Sequence, residues 1–101
     1  MKSNETSIKS VLKDYLALRG IFSFPLTQGL GSFRGAPDRI IHLPGENGEA
    51  GRVVYVEIKT PTGKLSPYQE TFQEQCLNDK IEYWVIRSLE ELEEKIEAYT
   101  A

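Results

Sequence analysis

The fold is decided by the stretch Arg39-Ile40-Ile41-His42-Leu43 and the stretch Val53-Val54-Tyr55-Val56-Glu57-Ile58-Lys59, two β-rich runs that flank the polar segment 44–51. Glycine and asparagine in that segment favour a turn, so the two runs are predicted to form an antiparallel hairpin. A hairpin that is symmetric about Asn47-Gly48 places Asp38 opposite Glu57, with their Cβ atoms about 5 Å apart. A β-bulge would shift this register by one residue, so the pairing is a hypothesis.

Asp38, Glu57 and Lys59 are predicted to converge at one end of this sheet. Lys59 lies two residues beyond Glu57 and therefore on the same face of the strand. Like charges that face each other destabilise a sheet, and a divalent cation would remove that conflict between the two carboxylates. Mg²⁺ is often held by one or two carboxylates, with waters and substrate phosphates completing its shell. Alternatively, Asp38 caps a turn after Pro37 while Glu57 and Lys59 are solvated, because charge clusters need not be catalytic.

The same residues carry a family resemblance. Pro37-Asp38 followed by Glu57-Ile58-Lys59 resembles the PD-(D/E)XK nuclease signature. With Gly63-Lys64-Leu65-Ser66-Pro67-Tyr68-Gln69 behind it, the chain is similar to the VRR-NUC domain from Glu5 to its last helix. The resemblance implies a restriction-endonuclease-like α/β fold. It also implies a metal-dependent nuclease that is similar to Holliday-junction resolvases and acts on branched DNA as a homodimer.

The resemblance assigns roles to individual residues. It implies a site for Mg²⁺ or Mn²⁺ formed by Glu5, Asp38, Glu57 and the backbone carbonyl of Ile58. Lys59 would position the attacking water or stabilise negative charge on the phosphate. Glu5 also has a simpler explanation, because a glutamate in the first turn of a helix is favoured by the helix dipole.

Gln69 has two explanations. In one, Ser66 and Gln69 form a capping box at the start of the second helix, with the Gln69 side chain reaching back to the Ser66 amide. In the other, which the resemblance implies, Gln69 lies near the active site as a catalytic residue that supports Lys59 or a phosphate.

Further candidates are polar residues in the connections. Gln28, Ser32 and Arg34 in the Gly-rich segment 25–35, and Lys64 after the hairpin, are predicted to contact DNA, because phosphates take most polar contacts in protein–DNA interfaces. For each single residue, an ordinary connecting loop explains the sequence equally well.

The remaining periodicity predicts the order α-β-β-β-α-β-α, an α/β sandwich with a mixed central sheet. Helices are expected over about 4–18, from Ser66 to about residue 78, and after Ser88. A helix between two strands favours a parallel pair joined by a right-handed crossover, so the strand 81–87 should lie parallel to the Glu57 strand. Tyr68, Phe72 and Cys76 recur at helical spacing and are expected in the core.

Composition sets outer limits. The 101 residues indicate one domain, 1–101, and the net charge of −3 argues against a generic basic DNA-coating protein. Carboxylates are concentrated in the last helix and its lead-in, which leaves the rest of the chain basic. No stretch is long and apolar enough for a membrane span, and the lone Cys76 fits a reducing cytoplasm of a bacterium or phage-infected cell.

Together with these residues, the resemblance implies a metal-dependent DNA endonuclease of recombination or repair that resolves four-way junctions. Two alternatives stay open. The chain is a nuclease for flaps, nicks or duplexes that acts with replication–repair partners, or it is an inactive module that binds DNA junctions.

Overall fold

A computed structural model describes residues 4–27 and 33–100. Its elements, in chain order, are α1 (Glu5–Leu18), β1 (Ser23–Pro25), β2 (Arg39–Leu43), β3 (Arg52–Ile58), α2 (Pro67–Asp79), β4 (Tyr83–Ile86) and α3 (Leu89–Thr100). This order confirms the predicted α/β sandwich. Among the described residues, no helix combines the length and apolar character needed to cross a membrane.

The four strands form one mixed sheet in the order β1-β2-β3-β4. The β1–β2 and β2–β3 pairs are antiparallel, and the β3–β4 pair is parallel. The parallel pair confirms the expected crossover through α2, since a helix must carry the chain back to the starting end of the sheet.

The hairpin has the predicted register along its whole ladder. Arg39 pairs with Val56 and Leu43 with Arg52. Asn47 and Gly48 both have positive φ, at 53° and 82°, as expected of a turn centred on these two residues.

Asp38 departs from that register. Its N–H donates to the Val56 carbonyl at 3.0 Å, so Asp38 and Arg39 both face Val56. Two residues opposite one define a β-bulge. The direct Asp38–Glu57 pairing is therefore wrong, and the bulge that was the alternative is present.

The hydrophobic core lies between the sheet and two of the helices. On one face, α1 and α3 pack together over the strands, and their buried residues are Ile8, Leu12, Leu16, Ile41, Leu43, Val54, Val56, Ile58, Trp84, Ile86, Leu92 and Ile96. Helix α2 lies on the opposite face, where Phe72 contacts Tyr55 and Tyr83 at centroid distances of 5.2 and 6.1 Å. Because residues alternate between faces along a strand, Glu57 points toward α2 while its neighbours Val56 and Ile58 enter the core.

Helix α2 covers its face only in part, which corrects one expectation. Cys76 is buried as predicted, but Tyr68 is 52% exposed. Tyr68 lies in the first turn of α2, where it contacts Arg34 rather than the core. Helical spacing identifies one side of a helix, but it does not show how far the sheet extends beneath it.

Candidate active site

Glu57 is the one buried charged residue among those the structure describes, with 1% of its surface exposed. Gln69 Nε2 donates to Glu57 Oε2 at 3.2 Å, and Lys59 Nζ lies 3.8 Å from the same oxygen. The other oxygen, Oε1, is buried and accepts no hydrogen bond from the described residues. A buried carboxylate oxygen without a partner is costly, so it marks a place where a ligand would be stabilising.

The environment of Glu57 disfavours its charged form. Burial, followed by the negative charge of Asp38, raises the pKa of Glu57 to about 8, and Lys59 only partly opposes this shift. Without a compensating cation, Glu57 therefore tends to remain protonated at neutral pH.

Asp38 is aimed at the end of β3 by the bulge. Its Oδ2 accepts a hydrogen bond from the Ile58 N–H at 2.7 Å, so a side chain replaces the next backbone acceptor of the ladder. Its Oδ1 lies 3.1 Å from Lys9 Nζ. The structure thus brings Asp38, Glu57 and Lys59 to one end of the sheet, together with the Ile58 backbone that lies between them.

Glu5 is not part of a three-carboxylate cluster. Lys9 Nζ lies 3.2 Å from Glu5 Oε1, so Lys9 bridges Glu5 and Asp38. In the part of the chain that is described, no group of three or more histidine, cysteine, aspartate or glutamate residues is arranged to hold a metal ion. The expected ligand set is therefore assembled only as the pair Asp38 and Glu57, with an ammonium group between Asp38 and Glu5.

Both explanations of Gln69 are compatible with the structure. Its Oε1 accepts from the Ser66 N–H at 2.8 Å and its own N–H donates to Ser66 Oγ, which completes the capping box. Its Nε2 is left to hold Glu57. The residue contacts Glu57 rather than Lys59, and it ties the start of α2 to the end of β3.

The four residues that were predicted to contact DNA do not form one cluster among the described residues. The Arg34 guanidinium lies 4.4 Å above the Tyr68 ring and donates to its hydroxyl at 3.0 Å. Lys64 lines a groove of about 680 Å³ beside β4, together with Glu70 and Arg87. Gln28 and Ser32 lie outside the described residues.

Two residues near the site were not identified from sequence. Lys9 stands four residues after Glu5, a spacing that favours an ion pair on a helix, but its contact with Asp38 is tertiary. Arg87 Nη1 donates to the carbonyls of Thr60, at 2.8 Å, and Gly63. No local signal in the sequence indicates that Arg87 reaches back to the turn after Lys59.

Comparison with known proteins identifies a solved structure with a similar fold. A solved structure described as a VRR_NUC domain matches the chain with a TM-score of 0.74 and 25% sequence identity, over 94% of this chain and 96% of that chain. No family model and no curated protein matches the chain.

The structural match supports a nuclease domain of the PD-(D/E)XK type. Within that class, the chain is similar in fold to a VRR-NUC domain, which agrees with the resemblance seen in the sequence.

Proposed function

We propose that residues 1–101 form a Mg²⁺- or Mn²⁺-dependent endodeoxyribonuclease whose active site is at the end of β3. The observation that carries the proposal is the buried Glu57, which lies beside Asp38 with one oxygen unpartnered among the described residues. A chain selected for stability alone gains nothing from two neighbouring carboxylates in a desolvated place.

The residues present fit a hard divalent cation. Asp38, Glu57 and the Ile58 carbonyl are oxygen donors, which such ions prefer, and two carboxylates are enough when waters and substrate phosphates complete the shell. Glu5 is a further candidate, which pairs with Lys9 in the structure. A bound cation would supply positive charge to a phosphate oxygen and lower the pKa of a water molecule.

The side chains around the carboxylates have separate tasks in this proposal. Lys59 is 13% exposed and reaches toward Glu57, so its ammonium group would orient the attacking water and stabilise charge on the phosphate. Gln69 would fix the Glu57 carboxylate through its Nε2, since its other end is held by the helix start. This network supports a preorganised site, in which little side-chain freedom is lost when substrate binds.

The substrate we propose is a four-way DNA junction, cut by a homodimer. A twofold dimer presents two active sites, which matches the quasi-twofold symmetry of a junction. This step rests on the family resemblance more than on residues. Flaps, nicks and duplexes are the alternative substrates, and an inactive junction-binding module is the alternative without catalysis.

The test is cleavage of labelled DNA by the purified chain. A four-way junction, a matched linear duplex and a flap are each incubated with Mg²⁺, Mn²⁺ or EDTA. Asp38→Asn is compared with Asp14→Asn, a control on the exposed side of α1. We expect metal-dependent cutting that is lost in Asp38→Asn and retained in Asp14→Asn.

The pattern of products decides the substrate. Paired symmetric cuts on the junction alone, together with a dimer in sedimentation equilibrium, would support resolution. Cutting of flaps or duplexes would retain the nuclease and reject the junction. Binding without cutting by the folded wild type, under every metal condition, would support the inactive module.

A further inference from the structure

A basic cleft opens beside Asp38, on the side of the sheet that carries α1. It has a volume of about 320 Å³ and lies between α1 and the region where β1 ends and β2 begins. Lys9, Lys13 and Arg39 line it, together with Asp38 and Ile58. The cleft therefore borders the proposed active site at Asp38 and Ile58.

Three cations and one carboxylate, Asp38, line this cleft, and Glu5 pairs with Lys9 from outside the lining. Lys9 and Lys13 stand four residues apart on α1 and therefore on the same side of the helix. Arg39 comes from β2, where its Nε donates to Ser23 Oγ at 2.9 Å and so fixes the direction of the guanidinium group. The hydroxyl of Ser10 adds a neutral donor to the lining.

Asp38 and Glu5 together do not cancel this charge, because both pair with Lys9. Asp38 is engaged on both oxygens, by Lys9 and by the Ile58 N–H. Lys13 and Arg39 have no carboxylate partner among the described residues, so the cleft retains donors and positive charge for an incoming anion. The chain as a whole carries a net charge of −3, which makes a local excess of cations beside the carboxylates more informative.

We propose that this cleft binds a DNA backbone phosphate adjacent to the one that is cut, with Lys13 and Arg39 as its main contacts and Lys9 shared with Asp38. The inference rests on the proposed nuclease function, because it takes its ligand from the substrate of the neighbouring site. A phosphate suits the cleft because it accepts hydrogen bonds in several directions, and arginine and lysine are its usual partners in DNA-binding proteins. Binding there would place the strand along α1 and present its next phosphate to Asp38 and Glu57.

The test measures DNA binding without cleavage. Fluorescence anisotropy in EDTA gives the Kd of a short labelled duplex as a function of KCl concentration for the wild type, Lys13→Gln and the double variant Lys9→Gln/Lys13→Gln. Lys80→Gln is the matched control, because Lys80 ends α2 outside the cleft and its substitution removes the same charge. Circular dichroism checks that all variants are folded.

The salt dependence separates a phosphate contact from a general loss of charge. The plot of log Kobs against log salt concentration has a negative slope, and each lost phosphate contact makes that slope shallower by about 0.9. We expect Lys13→Gln to bind DNA several-fold more weakly, with a slope that corresponds to the loss of about one phosphate contact. The double variant should lose more contacts and more affinity, and Lys80→Gln should keep the wild-type slope.

Other results have distinct meanings. Unchanged slopes in both cleft variants, or no DNA binding by the wild type, would overturn the cleft as a phosphate site. A protein that binds DNA through the cleft but cuts no DNA with any metal would support the cleft and overturn the nuclease. A protein that cuts DNA with an unchanged salt slope in the double variant would overturn the cleft alone.

Discussion

At the scale of single residues, the burial of the Glu57 carboxylate carries a large free-energy cost. Its carboxylate faces Asp38, has one oxygen unpartnered among the described residues, and is held by Gln69 and Lys59 on the other. Two neighbouring carboxylates cannot both ionise cheaply away from water. The protein can relieve this conflict with a proton or with a cation, and each route has a measurable consequence.

The proton route predicts a stability that falls as pH rises. The pKa of Glu57 is raised from 4.5 to about 8, so the unfolded chain ionises this group first. The contribution is fully present below about pH 4.5 and is lost as pH rises through about 8. Urea unfolding in EDTA should show a loss of a few kcal/mol across this range, which Glu57→Gln should remove.

The cation route predicts that a bound metal ion stabilises the folded protein at high pH, where the proton is lost. Mn²⁺ should raise the unfolding free energy of the wild type at pH 8, because a ligand that binds only the folded state stabilises it. The same addition should leave Glu57→Gln nearly unchanged. Equal pH dependence of the wild type and Glu57→Gln in EDTA would contradict the account of this residue.

The two contacts of Gln69 are separable by substitution. Gln69→Glu keeps an acceptor for the Ser66 amide, since glutamate also completes a capping box, but it loses the donor to Glu57. Ser66→Ala removes the cap and should cost about 1 kcal/mol of stability. We expect Ser66→Ala to cleave DNA like the wild type and Gln69→Glu to cleave it far more slowly, as measured by single-turnover rates. Similar rates for both variants would mean that Gln69 only caps the helix.

At the scale of elements, the site depends on how two connections are packed. The segment before Asp38 crosses the start of α2 so closely that an added Cβ at Gly35 would lie 2.3 Å from the Tyr68 carbonyl oxygen. Gly35 also has a φ of +87°, which disfavours other residues. This contact sets the distance between α2, which carries Gln69, and the bulge, which carries Asp38.

Gly35→Ala should therefore be more destabilising than an alanine substitution at a glycine that has a positive φ but no close neighbour. Gly48 has a φ of +82° with nothing within 4 Å of an added Cβ, which makes Gly48→Ala the matched control. The control should lose about 1–2 kcal/mol, the ordinary cost of left-handed backbone. Chemical denaturation should show a clearly larger loss for Gly35→Ala, and equal losses would contradict the close packing.

The turn after Lys59 is held by Arg87. Its guanidinium group bonds two carbonyls of that turn, those of Thr60 and Gly63. Both bonds leave the same nitrogen, Nη1, which the planar guanidinium group holds in a fixed direction. The flexible ammonium group of a lysine is not held in this way, so Arg87→Lys should displace Lys59 while the fold is kept. We expect the cleavage rate to fall by about tenfold to a hundredfold, the effect of a small misplacement.

Arg52→Lys is the control for this clamp. Arg52 pairs with Glu82 and stacks on Tyr99, away from the turn. It should leave the cleavage rate close to that of the wild type. A wild-type rate in Arg87→Lys would show that Lys59 does not depend on the clamp.

Local patterns in the sequence predicted the elements and the hairpin register well. Asn47-Gly48 and the apolar runs determine the turn and the pairing within a few residues, so little else competes with them. The bulge at Asp38 was harder to predict. It depends on where the β2–β3 ladder stops and on the Asp38 side chain, which accepts from the Ile58 N–H in place of a backbone carbonyl. The contact of Lys9 with Asp38 and the exposure of Tyr68 depend on how distant elements pack, which periodicity does not encode.

At the scale of the whole molecule, charge is distributed unevenly. Acidic residues are concentrated in α3, whereas Lys9 and Lys13 on α1 and Arg39 on β2 line the cleft beside the carboxylates. Although the net charge is −3, the surface next to the proposed active site is therefore positively charged. This arrangement would draw a DNA strand toward one face of a small acidic protein.

The most direct test of a metal-dependent active site at the end of β3 is the Mn²⁺-dependent cleavage rate of a labelled four-way junction by Glu57→Gln. Glu82→Gln serves as the control, because it changes a carboxylate that pairs with Arg52 away from the site. We predict rapid cleavage by the wild type and the control, and a loss of at least about a hundredfold in folded Glu57→Gln. Cleavage at the wild-type rate in Glu57→Gln would contradict the account.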